Sequence, residues 1–198
     1  MLRQDLLSGG SCYSVLRVFR PVPLDGYEMA RLIDPADYEA TYQLWNGTPR
    51  LTNWRPIPVS LVTIEGEELL LRSDAPWLGS HALVLRAQPL SVLADILGGH
   101  GEILPLRCAE AELAAFNVTC VVDALDQNAS SVVRFSDGRM MQIRRFAFHA
   151  DAVRGVEIFK IPDLRVSDTF VSERFVDRWL AAGLAGLGFE GVWSDSLQ

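Results

Sequence analysis

Lysine is almost absent from this 198-residue chain, whose 18 basic residues include a single lysine, Lys160. Because Lys160 has no Gly-Lys-Ser context, the sequence has no phosphate-binding loop of that kind. Cysteine and histidine are also scarce, with three residues of each. The cysteines Cys12, Cys108 and Cys120 lack metal-motif spacing, and the histidines are far apart, which excludes a recognisable zinc motif. We expect no metal and no cofactor.

Long apolar runs and a basic surplus are missing as well. No stretch approaches the roughly 18 apolar residues of a membrane span. Residues 1–10 contain an acid and no long apolar region, so we expect no secretory signal and a cytoplasmic location. The formal charge of −7 and the pI near 4.9 argue against a nucleic-acid partner. An acidic surface suits a basic protein partner, or serves solubility alone.

Alternating and β-branched runs predict a mostly antiparallel sheet. The predicted strands cover residues 13–19, 59–64, 82–85, 102–106, 116–122, 131–135, 140–148, 158–161 and 189–193. Pro21 and Pro23 are expected to end the first strand. Asp137-Gly138 predicts a hairpin whose two central turn residues both have positive φ.

Two main helices are predicted, at about 88–97 and 172–182, which gives an α+β fold. Pro89 opens the first, and Gly98-Gly99 ends it. Ser172 caps the second, and Gly183 permits its left-handed end, with Leu184 packing back. Its predicted apolar stripe consists of Phe175, Val176, Trp179 and Leu180. We expect a single domain over 1–198, with a β- and loop-rich N-terminal lobe at 1–72 and a core at 73–198.

Four residues are candidates for binding a partner. The segment from Asp74 to His81 packs an acid, a tryptophan, a glycine and a histidine into eight residues. It is either a tight connection whose tryptophan fills the core or a partner-contact loop anchored by Asp74 or Trp77. Trp45 and Trp54 lie in the irregular segment 24–58, which either packs on the core or forms a binding surface.

Catalytic motifs are not recognisable in the sequence. The glycines of 183–188 follow a predicted helix, in the wrong order for a dinucleotide fingerprint. His100 and Cys108 would pair as base and nucleophile only by accident of folding. The alternative to a binding protein is an enzyme with an unfamiliar site near Asp74, His81 and Asp123. It predicts a deep pocket with convergent polar groups, whereas a self-assembling structural protein predicts a large apolar patch.

Several segments between Asp74 and Trp193 resemble one protein family. They are Pro76-Trp77-Leu78-Gly79, Phe116-Asn117-Val118-Thr119 with Val121-Val122-Asp123, Ile158-Phe159-Lys160-Ile161, and Phe170 to Phe175 continuing through Gly183 to Phe189. Their order and spacing resemble an immunity-protein domain family of bacterial polymorphic toxin systems. This resemblance implies a non-catalytic protein that neutralises a toxin encoded beside it by direct binding. Because many interbacterial toxins are nucleases with basic clefts, the acidic charge fits a basic nuclease as partner.

Overall fold

The chain folds as an α+β protein in a computed structural model, which describes residues 15–34, 36 and 38–197. Cys12 and the start of the strand predicted from Tyr13 lie outside these residues. The strands are β1 (Arg17–Pro23), β2 (Met29–Leu32), β3 (Val59–Val62), β4 (Ile64–Glu65), β5 (Glu68–Leu69), β6 (Leu83–Leu85), β7 (Gly101–Pro105), β8 (Ala114–Val118), β9 (Ser131–Arg134), β10 (Met140–Arg145), β11 (Ile158–Phe159), β12 (Phe170–Ser172) and β13 (Leu187–Ser194). The helices are α1 (Tyr38–Tyr42), α2 (Ala87–Val92), α3 (Ala94–Leu97), α4 (Ala150–Val153) and α5 (Glu173–Ala181).

The strands form several small sheets, and the pairings between these strands are antiparallel. One sheet has the strand order β11-β12-β1-β13, and another has β6-β8-β7. The remaining strands pair two by two, as β2-β3, β4-β5 and β9-β10. Strand β1 therefore joins residues close to the N-terminus with strands from the last 30 residues. The predicted division of the chain at residue 72 stays a prediction.

Strand β1 extends past Pro21 and ends at Pro23, the second of the two prolines that were expected to end it. It pairs with β13 from Arg17 to Pro23, whereas its pairing with β12 covers only Val18 and Phe19. A proline lacks a backbone N–H and is tolerated in a sheet where no partner strand needs that donor. Pro21 and Pro23 lie beyond the end of β12, so one side of β1 needs no donor there.

Helix α5 follows the sequence prediction at both ends. The Ser172 hydroxyl accepts a hydrogen bond from the amide of Phe175 at 3.2 Å. At the other end Gly183 has a φ of 65°. The amide of Gly183 donates to Leu180 at 3.0 Å, and that of Leu184 donates to Trp179 at 3.3 Å. These two bonds form the Schellman arrangement that a glycine after a helix permits.

The predicted apolar stripe of α5 is wrong at one position. Phe175, Val176 and Trp179 are buried, but Leu180 is 62% exposed. At 100° per residue Leu180 lies about 95° from the centre of the other three, at the margin of the buried face. Leu184, beyond the helix end, is 7% exposed and packs in the core instead.

The helix predicted over 88–97 is interrupted. Leu93 separates α2 from α3, with a φ of −99° and a ψ of 8°. This ψ is far from the helical value of about −42°, so the regular helix stops and restarts at this residue. Leu93 is completely buried, and packing of its side chain in the core accompanies the break.

The Asp137-Gly138 hairpin forms between β9 and β10, but its turn differs from the predicted type. Only Gly138 has a positive φ, of 86°, and none of the described non-glycine residues has one. The amide of Gly138 donates to Phe135 at 3.0 Å, and the amide of Phe135 donates to Arg139 at 2.8 Å. The turn is therefore a three-residue loop that ends on a left-handed glycine, and Asp137 avoids positive φ.

The sheet β6-β8-β7 is buried on both sides, which explains the continuous burial of β8. One side contacts the helix core, whose buried members include Leu83, Leu85, Leu93, Phe116, Val118, Phe175, Val176 and Trp179. The other side contacts the tryptophan core, which contains Trp45, Val59, Ala82, Val84, Leu104, Leu106, Leu113 and Ala115. A third group, the phenylalanine core, includes Phe146, Phe148, Phe159, Ile161 and Phe170. Alternation of side chains along β8 divides its residues between two cores.

Candidate functional site

Asp74 is buried and connects its loop to the end of α5. Its exposed fraction is 7%, and its Oδ2 accepts a hydrogen bond from the amide of Ala185 at 3.0 Å. Its own amide donates to the carbonyl of Ala185 at 2.9 Å. An ion pair with Arg72 at 3.3 Å occupies Oδ1. Asp74 therefore holds two chain segments together in this conformation, and little of its side chain is available to a partner.

A neighbouring ion pair strengthens the same junction. Arg86 pairs with Glu28, and both side chains are largely buried. The Nε of Arg86 donates to the carbonyl of Ser73 at 2.8 Å, and Glu28 accepts from the amide of Ser73 at 3.1 Å. The hydrogen-bonding residues around Asp74 thus come from four segments, at 28, 72–74, 86 and 185. The segment 72–75 is fixed by these contacts.

Trp77 is half-buried and packs against the helix core. Its carbonyl accepts a hydrogen bond from the amide of Ala30 at 3.0 Å, which fixes the loop beside β2. The remaining exposed part of the indole is available to a partner. Of the two predicted anchors in this loop, Trp77 offers more surface than Asp74.

Trp45 and Trp54 pack on one another, with ring centroids 5.8 Å apart. Trp45 is completely buried and has no surface to offer a partner in this conformation. Trp54 is half-buried, and its Nε1 donates to the carbonyl of Pro105 at 2.7 Å. It lines an open cleft of about 570 Å³ with Leu44, Pro49, Arg50, Thr52, Asn53 and Arg55. Tryptophan and arginine are enriched at interface hot spots, so this cleft keeps Trp54 as a candidate.

The four predicted partner-binding residues lie in two separate places. Asp74 and Trp77 belong to the loop against β2 and Ala185, and Trp45 and Trp54 belong to the tryptophan core. Among the described residues no hydrogen bond, ion pair or ring contact joins one pair to the other. Whether these residues bind a partner stays a prediction.

Asp74, His81 and Asp123, the alternative catalytic residues, are not assembled into one site. His81 is 4% exposed, and its ring lies against Tyr42 with centroids 4.6 Å apart. Burial, together with the nearby Lys160 charge, lowers the pKa of His81 to about 4. Asp123 lies exposed on the surface. Within the described part of the chain, no hydrogen bond or ion pair connects any two of the three residues.

The other predicted pair, His100 and Cys108, is also separate. The His100 Nε2 accepts a hydrogen bond from the amide of Glu157 at 3.3 Å. The Cys108 thiol donates to Glu110 at 3.1 Å. Burial raises the pKa of Cys108, and the hydrogen bond to the Glu110 carboxylate raises it further, so the thiol stays protonated.

Lys160 is a polar residue that the sequence analysis did not predict to be buried. It is 1% exposed, and its Nζ donates to the carbonyls of His81 at 3.1 Å and Ser167 at 3.2 Å. Burial lowers the pKa of Lys160 to about 7, although the charge of Asp168 raises it. Lys160 therefore connects the segments around 81, 160 and 167. Its position within the otherwise apolar segment 158–161, as the only lysine, is the signal that could have indicated this role.

Asp168 extends this polar cluster to the surface. It forms an ion pair with Arg20 at 3.3 Å, and Arg20 pairs with Glu190 at 2.7 Å. Arg20 and Asp168 line an open cleft of about 350 Å³ with Met141, Gln142, Ile143, Arg144, Phe146, Leu164 and Ser167. Lys160 itself does not line this cleft. The cluster can stabilise the fold, and its amine is buried in this conformation.

The described residues hold neither a metal-binding cluster nor a membrane-spanning helix. They contain no group of three His, Cys, Asp or Glu side chains placed to hold a metal ion. No helix in the described ranges combines the length and the apolar character needed to cross a membrane.

Comparison with known proteins gives one family match. No curated protein matches the chain. Residues 115–193 match the model of the immunity protein family Imm11. The matched segment runs from β8 to β13 and includes α5, Lys160 and Asp168. The resemblance inferred from the sequence is therefore confirmed over these residues, and this part of the chain is similar to the Imm11 immunity proteins.

Proposed function

We propose that this chain is an immunity protein that binds a cognate bacterial toxin in the cytoplasm and neutralises it without catalysis. The observation that carries the proposal is the match of residues 115–193 to the Imm11 family. An immunity protein implies a toxin as its partner, in a system of competition between bacteria. The formal charge of −7 supports a basic toxin, such as a nuclease, because opposite charges accelerate association.

A growth assay tests the biological part of the proposal. The toxin encoded by the neighbouring gene is expressed in a bacterial host with and without this chain. Growth should stop with the toxin alone and continue when both are expressed. Growth arrest in both cultures, together with no complex on size-exclusion chromatography, would refute the proposed function. Cell fractionation with an epitope tag tests the cytoplasmic location in the same strain.

A titration separates binding from catalysis. A binding protein removes toxin activity in proportion to the amount added, and the activity ends at a fixed molar ratio. An enzyme that modifies the toxin removes all activity at small molar ratios if enough time is given. We expect a fixed ratio that does not change with incubation time. Complete loss of toxin activity at a ratio of about one to a hundred would support the enzyme alternative.

A further inference from the structure

The segment 63–71, here named the acidic hairpin, projects from the fold as a separate two-stranded unit. It contains β4 and β5, and every residue from Thr63 to Leu69 is exposed. Gly66, with a φ of 61°, starts a two-residue turn of the type that suits tight hairpins. Strands β4 and β5 pair only with one another among the described strands.

The base of the acidic hairpin is firmly attached. The amide of Leu70 donates to Thr63 at 2.8 Å, which closes the two strands. The amide of Leu71 donates to Gly26, and the amide of Glu28 donates to Leu71, each at 2.8 Å. Such a fixed base holds the exposed residues in position and lowers the entropy cost of binding a partner.

One side of the acidic hairpin is apolar and uncovered. Ile64 and Leu69 are opposite one another across the strands, so their side chains point to the same side. They are 59% and 78% exposed, and Leu71, two residues after Leu69, is 60% exposed. Clustered exposed apolar residues mark protein interaction sites.

The other side of the acidic hairpin indicates the charge of its partner. Glu65 and Glu68 are directly opposite one another in the pairing, and Glu67 lies in the turn. Like charges in this arrangement are unfavourable. None of the three glutamates forms an ion pair with another described residue. A positively charged surface on the partner would offset this repulsion. The apolar side of the hairpin would need an apolar surface on the same partner.

We infer that the acidic hairpin is the element that contacts the toxin, with Ile64, Leu69 and Leu71 as apolar anchors and the three glutamates facing a cationic surface. This inference rests on the proposed function, because the occupant is the toxin. The hairpin lies outside residues 115–193, which match the family model. A shared scaffold with a separate contact element gives each family member a means to select its own toxin.

Binding measurements with purified toxin from the neighbouring gene test the inference. The variants are Ile64→Ser with Leu69→Ser, and Glu65→Gln with Glu68→Gln. Matched controls on α5 are Leu180→Ser, since Leu180 is 62% exposed, and Asp177→Asn, since Asp177 is also exposed. Unfolding midpoints establish that all variants remain folded.

The apolar variant should weaken affinity tenfold or more, mainly through faster dissociation. The Gln variant should slow association severalfold at low salt, while the α5 controls bind like the unmodified chain. Unchanged binding of both hairpin variants, or equal losses from hairpin and control variants, would overturn the inference and leave the proposed function standing. Absence of binding by the unmodified chain would overturn the proposed function and, with it, the inference.

Discussion

Trp179 and Leu180 are neighbours in α5, but their side chains have opposite surroundings. Trp179 is completely buried in the helix core, whereas Leu180 is 62% exposed. We expect Trp179→Ala to lower the free energy of unfolding by about 3–5 kcal/mol, because it leaves a large cavity. Leu180→Ala should change it by about 0.5 kcal/mol or less. Urea unfolding followed by circular dichroism measures both, and similar losses would show that the helix is rotated from its described position.

Lys160 gives a second prediction at the residue scale. Its folded-state pKa of about 7 is below the ordinary 10.5, so between these values the unfolded chain holds a proton that the folded chain lacks. The contribution of Lys160 to the free energy of unfolding therefore increases with pH, by up to about 1.4 kcal/mol per pH unit. In Lys160→Met this contribution is absent. We expect the variant's unfolding free energy, minus that of the unmodified chain, to fall between pH 7 and pH 9.

Two neighbouring groups, His81 and Tyr42, do not titrate between pH 7 and pH 9. His81, with a pKa of about 4, titrates below this range, and partial burial raises the pKa of Tyr42 above 10.0. Equilibrium denaturation of both proteins at several pH values measures the difference. A difference that stays constant with pH would mean that Lys160 remains charged inside the fold.

At the scale of elements, the junction between Gly186 and Ser73 connects the end of α5 to the loop of Asp74. Gly186 has a φ of 97°, and a Cβ built there would lie 1.9 Å from the Ser73 hydroxyl. We expect Gly186→Ala to destabilise the fold by about 2–4 kcal/mol, from backbone strain together with the clash. Gly155→Ala is the matched control, because Gly155 also has a positive φ, of 74°, but open space around it.

The control should cost only the strain, about 1–2 kcal/mol. Thermal unfolding of both variants by calorimetry gives the comparison. Equal destabilisation would indicate that Ser73 moves away without cost and that the junction is loose. In that case the buried contacts of Asp74 with Ala185 would not hold the loop as described.

Elements with local signals were predicted well from the sequence. The cap at Ser172, the stop at Gly183 and the Asp137-Gly138 hairpin depend on residues within a few positions of one another. The errors depend on distant partners. Pro21 does not end β1 because β12 stops pairing before it, and Leu93 interrupts a helix that packs in the core. Such contacts between distant residues cannot be predicted from the periodicity of the sequence.

The candidate site was predicted less well for the same reason. The sequence around Trp45 and Trp54 does not show which of the two is buried. The tertiary packing buries Trp45 and leaves Trp54 in a cleft. The exposure of Ile64 and Leu69 in the acidic hairpin cannot be inferred from an alternating pattern in the sequence. Lys160 was missed because a lysine is rarely buried.

At the scale of the whole molecule, the net charge of −7 bears on the rate of association with the proposed toxin. We expect the association rate constant to fall steeply as ionic strength rises from about 20 to 500 mM, because salt screens long-range attraction. The dissociation rate should change less. Measurement on surface-immobilised toxin gives both rates, and an association rate independent of salt would remove electrostatic steering while leaving the immunity function in place.

Because Lys160 is enclosed by the fold, its chemical reactivity reports how often the fold opens locally. Lys160 carries the only ε-amine of the chain, and the fold leaves it 1% exposed. A reagent that acylates amines should therefore modify this residue only in molecules whose strands have separated around it. Peptide mass spectrometry would then give the frequency of that opening without any engineered probe. A bound toxin that stabilises the folded state should slow the acylation in proportion to its concentration over its dissociation constant.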